Sequence, residues 1–229
     1  AKSESESESM VESESESESM AKSCDEDPRA LDGMTPLQEI CNGITMFIPV
    51  VTCAWLCLKS NLLSLRTGLL FFALALHLPF SVNYHISLSR RQLQDAIDND
   101  ARRLDQTFVH VAAILISAAI TSSVAWLVAC LVYNMHCISR LWSPRAPGTS
   151  ERMLNVGFAV LFYILPVLYR GEYRRFAYAA LSFGIGGVAM LLRFGGWGHC
   201  VMHLALGGLT YHITIAASHL QNGFSPWKV

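Results

Sequence analysis

LDQTFVHVAAILISAAITSSVAWLVACLVYNMHCI, residues 104–138, is the stretch on which the topology of this chain turns. Between 107 and 135 it carries no Asp, Glu, Lys or Arg, a run that suits a bilayer and that a soluble domain does not leave uncharged. Its 35 residues exceed the roughly 20 that one transmembrane helix needs and are just enough for two short ones. Thr121, Ser122 and Ser123 mark the hinge between them. Other apolar runs lie at about 43–58, 68–88, 153–169, 176–192 and 199–217, separated by short Arg-bearing connections. Dividing the long run gives seven spans; leaving it whole gives six. The expected fold is all-α: a polytopic membrane protein, a seven-helix transmembrane bundle.

Of the 229 residues 52% are hydrophobic, and most of the acidic ones fall in the first 39 positions. Near-copies, AKSESESESM and VESESESESM, occupy 1–10 and 11–20. Alternating Ser and Glu bury no apolar surface and repel one another, so 1–38 is expected to be a disordered tail. The membrane domain is expected over 39–220, with a short tail at 221–229. No basic segment followed by an apolar one opens the chain, so the first span is expected to act as the targeting signal. The formal net charge of −1 cancels an acidic tail against a basic body. The arginines sit in separate loops and form no continuous basic face, which gives no sign of a nucleic-acid partner. Seven cysteines follow no metal or disulfide spacing, and Cys53, Cys57, Cys130, Cys137 and Cys200 read as small buried hydrophobes.

Seven spans make a geometric prediction. The second helix then ends on the side of the membrane where the third and seventh begin, and the conspicuous polar residues stand at those three places: Ser81 and His85, Asp105, and His199 and His203. Six spans would send the last two to the other side, so the preference for seven leans partly on this convergence. His199 and His203 are four apart and share a helix face. Zinc in a hydrolytic site takes three protein ligands, often histidines, and leaves a fourth position to a water whose pKa falls to roughly 7. His85, His199 and His203 would supply that triad. Ser81, one turn before His85, could bond the water or a developing oxyanion, and Asp105 could accept its proton or brace a ligand histidine. A buried His, Ser and Asp network without metal accounts for each residue singly, but not for two i, i+4 pairs that open to one leaflet.

Ser81-x-x-x-His85, Leu104-Asp105 and His199-x-x-x-His203 together resemble the signature of the seven-span membrane hydrolase superfamily that joins alkaline ceramidases, progestin and adiponectin receptors, GPI-remodelling factors and the myomaker group. The resemblance runs over nearly the whole chain from the first span on. Glu39-Ile40-Cys41-Asn42 ahead of that span, and the run from His199 to Ile213, look most like alkaline ceramidase. The resemblance implies zinc on His85, His199 and His203, with Ser81 and Asp105 supporting the attacking water. Three features depart from it. The connection SRRQLQDAIDNDARR at 89–103 is longer and more charged than a ceramidase would have. The ceramidase calcium motif is not recognisable, with Asp25, Asp27 and Glu39 as remnants, so calcium is not expected. The sixth span, FGIGGVAMLLRF at 183–194, looks more like the myomaker group.

Two functions follow as expectations. One is zinc-dependent hydrolysis of a membrane lipid amide, as in ceramide to sphingoid base plus fatty acid; the other is a seven-helix receptor or scaffold with a structural zinc. With seven spans the N-terminal side holds the larger share of arginines, Arg90, Arg102, Arg103, Arg140, Arg145 and Arg152 among them, which places that side in the cytosol of an endomembrane or plasma-membrane protein. His77 precedes Ser81 by one turn and could back the site from deeper in the helix, but Pro79 is expected to kink the helix between them, which makes a role in the site the less expected reading. His212 sits about 180° around the helix from His203 and should not join a metal. His110 and His136 read as interhelical contacts, the glycines at 184, 186, 187, 207 and 208 as close-packing positions, and Trp142, Trp197 and Trp227 as an interfacial belt.

Overall fold

The computed structural model describes residues 34–90, 98–192 and 194–221. The Ser/Glu-rich stretch with Asp25 and Asp27, the middle of the charged connection at 91–97, Arg193, and Trp227 with the rest of 222–229 lie outside the described residues. Within them the chain is helical and has no strand: α1 (Pro36–Thr45), α2 (Phe47–Lys59), α3 (Leu65–Ser89), α4 (Asp100–Ile120), α5 (Val124–Leu141), α6 (Thr149–Tyr169), α7 (Tyr173–Leu192) and α8 (Gly198–Gln221). A short 3₁₀ turn, Phe194–Gly196, precedes α8. Seven segments are long and apolar enough to cross a membrane, with α1 and α2 together forming the first, Pro36–Lys59.

The long apolar run divides at the hinge, α4 ending at Ile120 and α5 beginning at Val124. Ser123 caps the new helix by accepting from the Trp126 amide at 3.3 Å. The first span starts earlier than the expected position 43, inside the expected tail. Thr35 and Gln38 form a capping box and Pro36 occupies the first helical turn, a start signal stronger than the hydropathy that follows it. The ladder breaks at Met46, where Pro49 offers no N–H and sets its ring against the turn before it.

α7 packs along α8, and α3 along α4. Phe80 and Phe108 stack across the second pair at 3.6 Å. Gly208 brings α8 close to α7, since a Cβ there would stand 2.7 Å from Ser182 Oγ, and Gly207 does the same toward Ile48 on α2. Gly186 also faces α8, whereas added methyl groups at Gly184 and Gly187 would meet open space; those two are lipid-side rather than packing glycines. The cysteines Cys53, Cys57, Cys130, Cys137 and Cys200 are buried free thiols. At the start of α4, Arg103 and then Arg152 hydrogen-bond Asp98 and hold its carboxyl down to about 2, tying that helix to α6 at 3.0 Å.

On the face away from the expected site, Arg170 locks three helix ends together. Only 7% exposed, it donates to Ile120 O at 2.5 Å and Ala216 O at 3.0 Å and pairs with Glu172 at 2.7 Å. Arg170→Met leaves both carbonyls and part of the carboxylate unanswered. A loss of about 3–5 kcal/mol is expected, read as a lower melting temperature of the detergent-solubilised protein; an unchanged midpoint would contradict the locking role.

Candidate metal centre

The ends of α3 and α8 that parity assigned to one side do meet. His85, His199 and His203 each offer a ring nitrogen, and these atoms lie within 4.8 Å of one another. The ring of His199 stands 4.9 Å from that of His85 and 4.6 Å from that of His203, both edge-on. His85 and His203 are buried. This separation suits nitrogens converging on a common ion, because two ligands about 2 Å from a centre sit 3–4 Å apart.

The elements around the triad fix which nitrogen faces inward on His85 and His203. Glu39, on α1, accepts from His85 Nδ1 at 2.7 Å, and Asn42 donates to the same carboxylate oxygen at 3.4 Å. His203 Nδ1 donates to the Asn42 carbonyl at 3.1 Å and lies 3.0 Å from Thr45 Oγ1. A carboxylate or carbonyl partner makes each Nδ1 the protonated atom and leaves Nε2 with its lone pair for a metal. Polar partners at this depth are also what a buried imidazole requires. Cys200 adds a bond to Asn42 Oδ1 at 2.9 Å. The donor set and its bracing therefore fit a metal ion.

α8 is aimed by the turn before it. Gly195 and Gly196 adopt φ of +60° and +93°, a backbone that side chains resist, and a Cβ on Gly196 would stand 2.6 Å from Gln38 Oε1. Gln38 Nε2 in turn donates to Gly195 O at 2.8 Å. The α1 cap thus grips the turn that delivers His199.

Asp105 lies beside the triad rather than in it. His77 Nε2 meets its Oδ1 at 2.9 Å, and Ser81, His85 and His199 stand within electrostatic reach. Ser81, His85 and Asp105 are brought together with the seventh-span histidines as expected. His77 is not kept out. α3 runs unbroken through Pro79, as membrane helices permit, so positions 77, 81 and 85 stay on one face. Glu39, thought of only as a calcium remnant or a motif residue, is a histidine partner. His212 instead stacks on Tyr178, and His110 bonds Asn134 across α4 and α5 at 2.8 Å.

Fold and site define a seven-helix membrane protein with a buried histidine triad able to hold a metal ion. No family model, curated protein or solved structure matches the chain.

Proposed function

We propose that the chain is a zinc-dependent intramembrane hydrolase acting on a lipid amide, with ceramide, cleaved to a sphingoid base and a fatty acid, as the first substrate to try. Three neutral imidazoles suit zinc among the common divalent ions. The observation that carries the reading is the carboxylate of Asp105, held by His77 at 2.9 Å next to the triad. A purely structural metal has no use for it.

When bound, zinc supplies a water of lowered pKa and polarises a carbonyl. The protein's own groups do the rest. Asp105 accepts the proton of the attacking water and returns it to the leaving amine nitrogen. His77 holds that carboxylate in place, and Ser81 donates to the substrate carbonyl oxygen as it takes up negative charge. Spans 2, 3 and 7 bring these groups to one leaflet, where a lipid amide bond lies near the headgroups, and the arginine excess on that side supports a cytosolic-facing site.

The test is a panel of ceramides and acyl glycerolipids offered to zinc-loaded protein in mixed micelles, with free fatty acid measured by mass spectrometry. Fatty acid released from ceramide, and lost in Asp105→Ala, is the expected result. Zinc bound with no lipid turned over would favour the receptor or scaffold instead.

A further inference from the structure

On the face of the bundle opposite the histidines, α7 and α8 line a cavity of about 940 Å³. Arg174 and Arg175, in the first turn of α7, stand at its mouth with His219 from the end of α8. Tyr178 lies one turn deeper on α7; Ile215 and Tyr211 lie one and two turns deeper on α8. From His219 to Tyr211 the lining therefore extends roughly 12 Å into the leaflet, at 1.5 Å per residue, most of the roughly 15 Å half-thickness of the hydrocarbon core. The mouth is cationic and the interior aromatic and aliphatic.

The charge balance at the mouth is positive. Glu172, the carboxylate in the lining, is already engaged by Arg170, Arg175 and His219 at 2.7, 3.2 and 3.0 Å. Arg174 is exposed and has no hydrogen-bond or ion-pair partner among the described residues. Tyr178 stacks on His212 at 5.1 Å and 20°, which gives the groove a flat aromatic wall rather than a collapsed one. A site with a guanidinium at the membrane surface and an apolar trough beneath it matches an anionic amphiphile.

We infer that this groove binds an anionic glycerophospholipid of the leaflet opposite the histidine triad, its phosphate against Arg174 and Arg175 and an acyl chain along Tyr178, Tyr211 and Ile215. The site is independent of the hydrolase reading. Lipid belongs there rather than a soluble anion because Tyr178, Tyr211, His212 and Ile215 carry the lining below the guanidiniums, to hydrocarbon depth.

Delipidated full-length protein in detergent, titrated with dioleoyl phosphatidylglycerol, dioleoyl phosphatidylcholine or sodium phosphate and read by native mass spectrometry, tests it. Phosphatidylglycerol is expected to bind roughly tenfold or more tightly than phosphatidylcholine, and Arg174→Glu to remove that preference. Ile215→Trp, which fills the trough without touching the charges, is expected to weaken phosphatidylglycerol and leave zinc content unchanged. Equal binding of the two lipids, an Arg174→Glu variant that keeps the preference, or phosphate competing as well as the lipid itself would each overturn the assignment.

Discussion

His203→Ala is expected to reduce metal content from about one zinc per chain to near zero after dialysis, because two imidazoles hold zinc far less tightly than the three a zinc site takes. Elemental analysis of purified protein reads the change. The position is informative because its side chain is held so firmly. Nδ1 meets the Asn42 carbonyl at 3.1 Å, so the ring is already oriented before any ion arrives, and little ordering is left for the metal to accomplish. A graded companion separates ligand from brace. Glu39→Gln keeps an oxygen near His85 Nδ1 but removes the charge, and a fall in zinc affinity of roughly 10–100-fold is expected for loss of such a partner. A His203→Ala protein that still carries stoichiometric zinc would remove the metal centre altogether. Bound metal should also appear as stability, with a melting temperature that rises with zinc in the native chain and does not in His203→Ala.

How much of this was readable beforehand depends on which signals are local. Span number was, because 104–138 is too long for one helix and the hinge residues Thr121, Ser122 and Ser123 are consecutive in the sequence. Parity put His85, His199 and His203 on one side of the membrane once seven spans were taken, a choice that itself leaned on their convergence. The start of the first span was not readable from hydropathy, for a reason specific to membranes. In α1 the polar Gln38, Glu39 and Asn42 are buried, while Leu37, Ile40 and Ile44 face outward at 61, 45 and 62% exposure. In a bilayer that pattern is favourable, since lipid is as apolar as leucine and the polar face finds partners inside. A window average sees the same residues as a polar loop. Glu39 was missed as a histidine partner because 46 residues separate it from His85, and no spacing rule spans that distance. His77 was misplaced by treating Pro79 as a kink. At Pro79 the single N–H that proline removes leaves the helix continuous, with neighbouring spans packed around it.

Asp105→Asn is expected to leave zinc binding and fold intact while cutting turnover of the cleaved lipid by roughly 10²–10⁴-fold, the range for removing a general acid–base group. The amide keeps the shape of the carboxylate, and its oxygen can still accept from His77, so the packing of α3 against α4 has no reason to change. What it loses is the ability to take up a proton. Because that deficit is felt only as the reaction proceeds, kcat and kcat/KM should fall together with KM little altered. His77→Gln makes the opposite cut. It leaves the carboxylate as base but removes the imidazole held 2.9 Å from it, so a smaller fall is expected, with zinc content again unchanged. The order of the two effects carries the argument: if Asp105 were only a brace for the bundle, both variants would lower the melting temperature and neither would selectively lower kcat. An Asp105→Asn protein that keeps its zinc, its melting temperature and its full activity would leave the carboxylate without a chemical role and return the site to a structural metal.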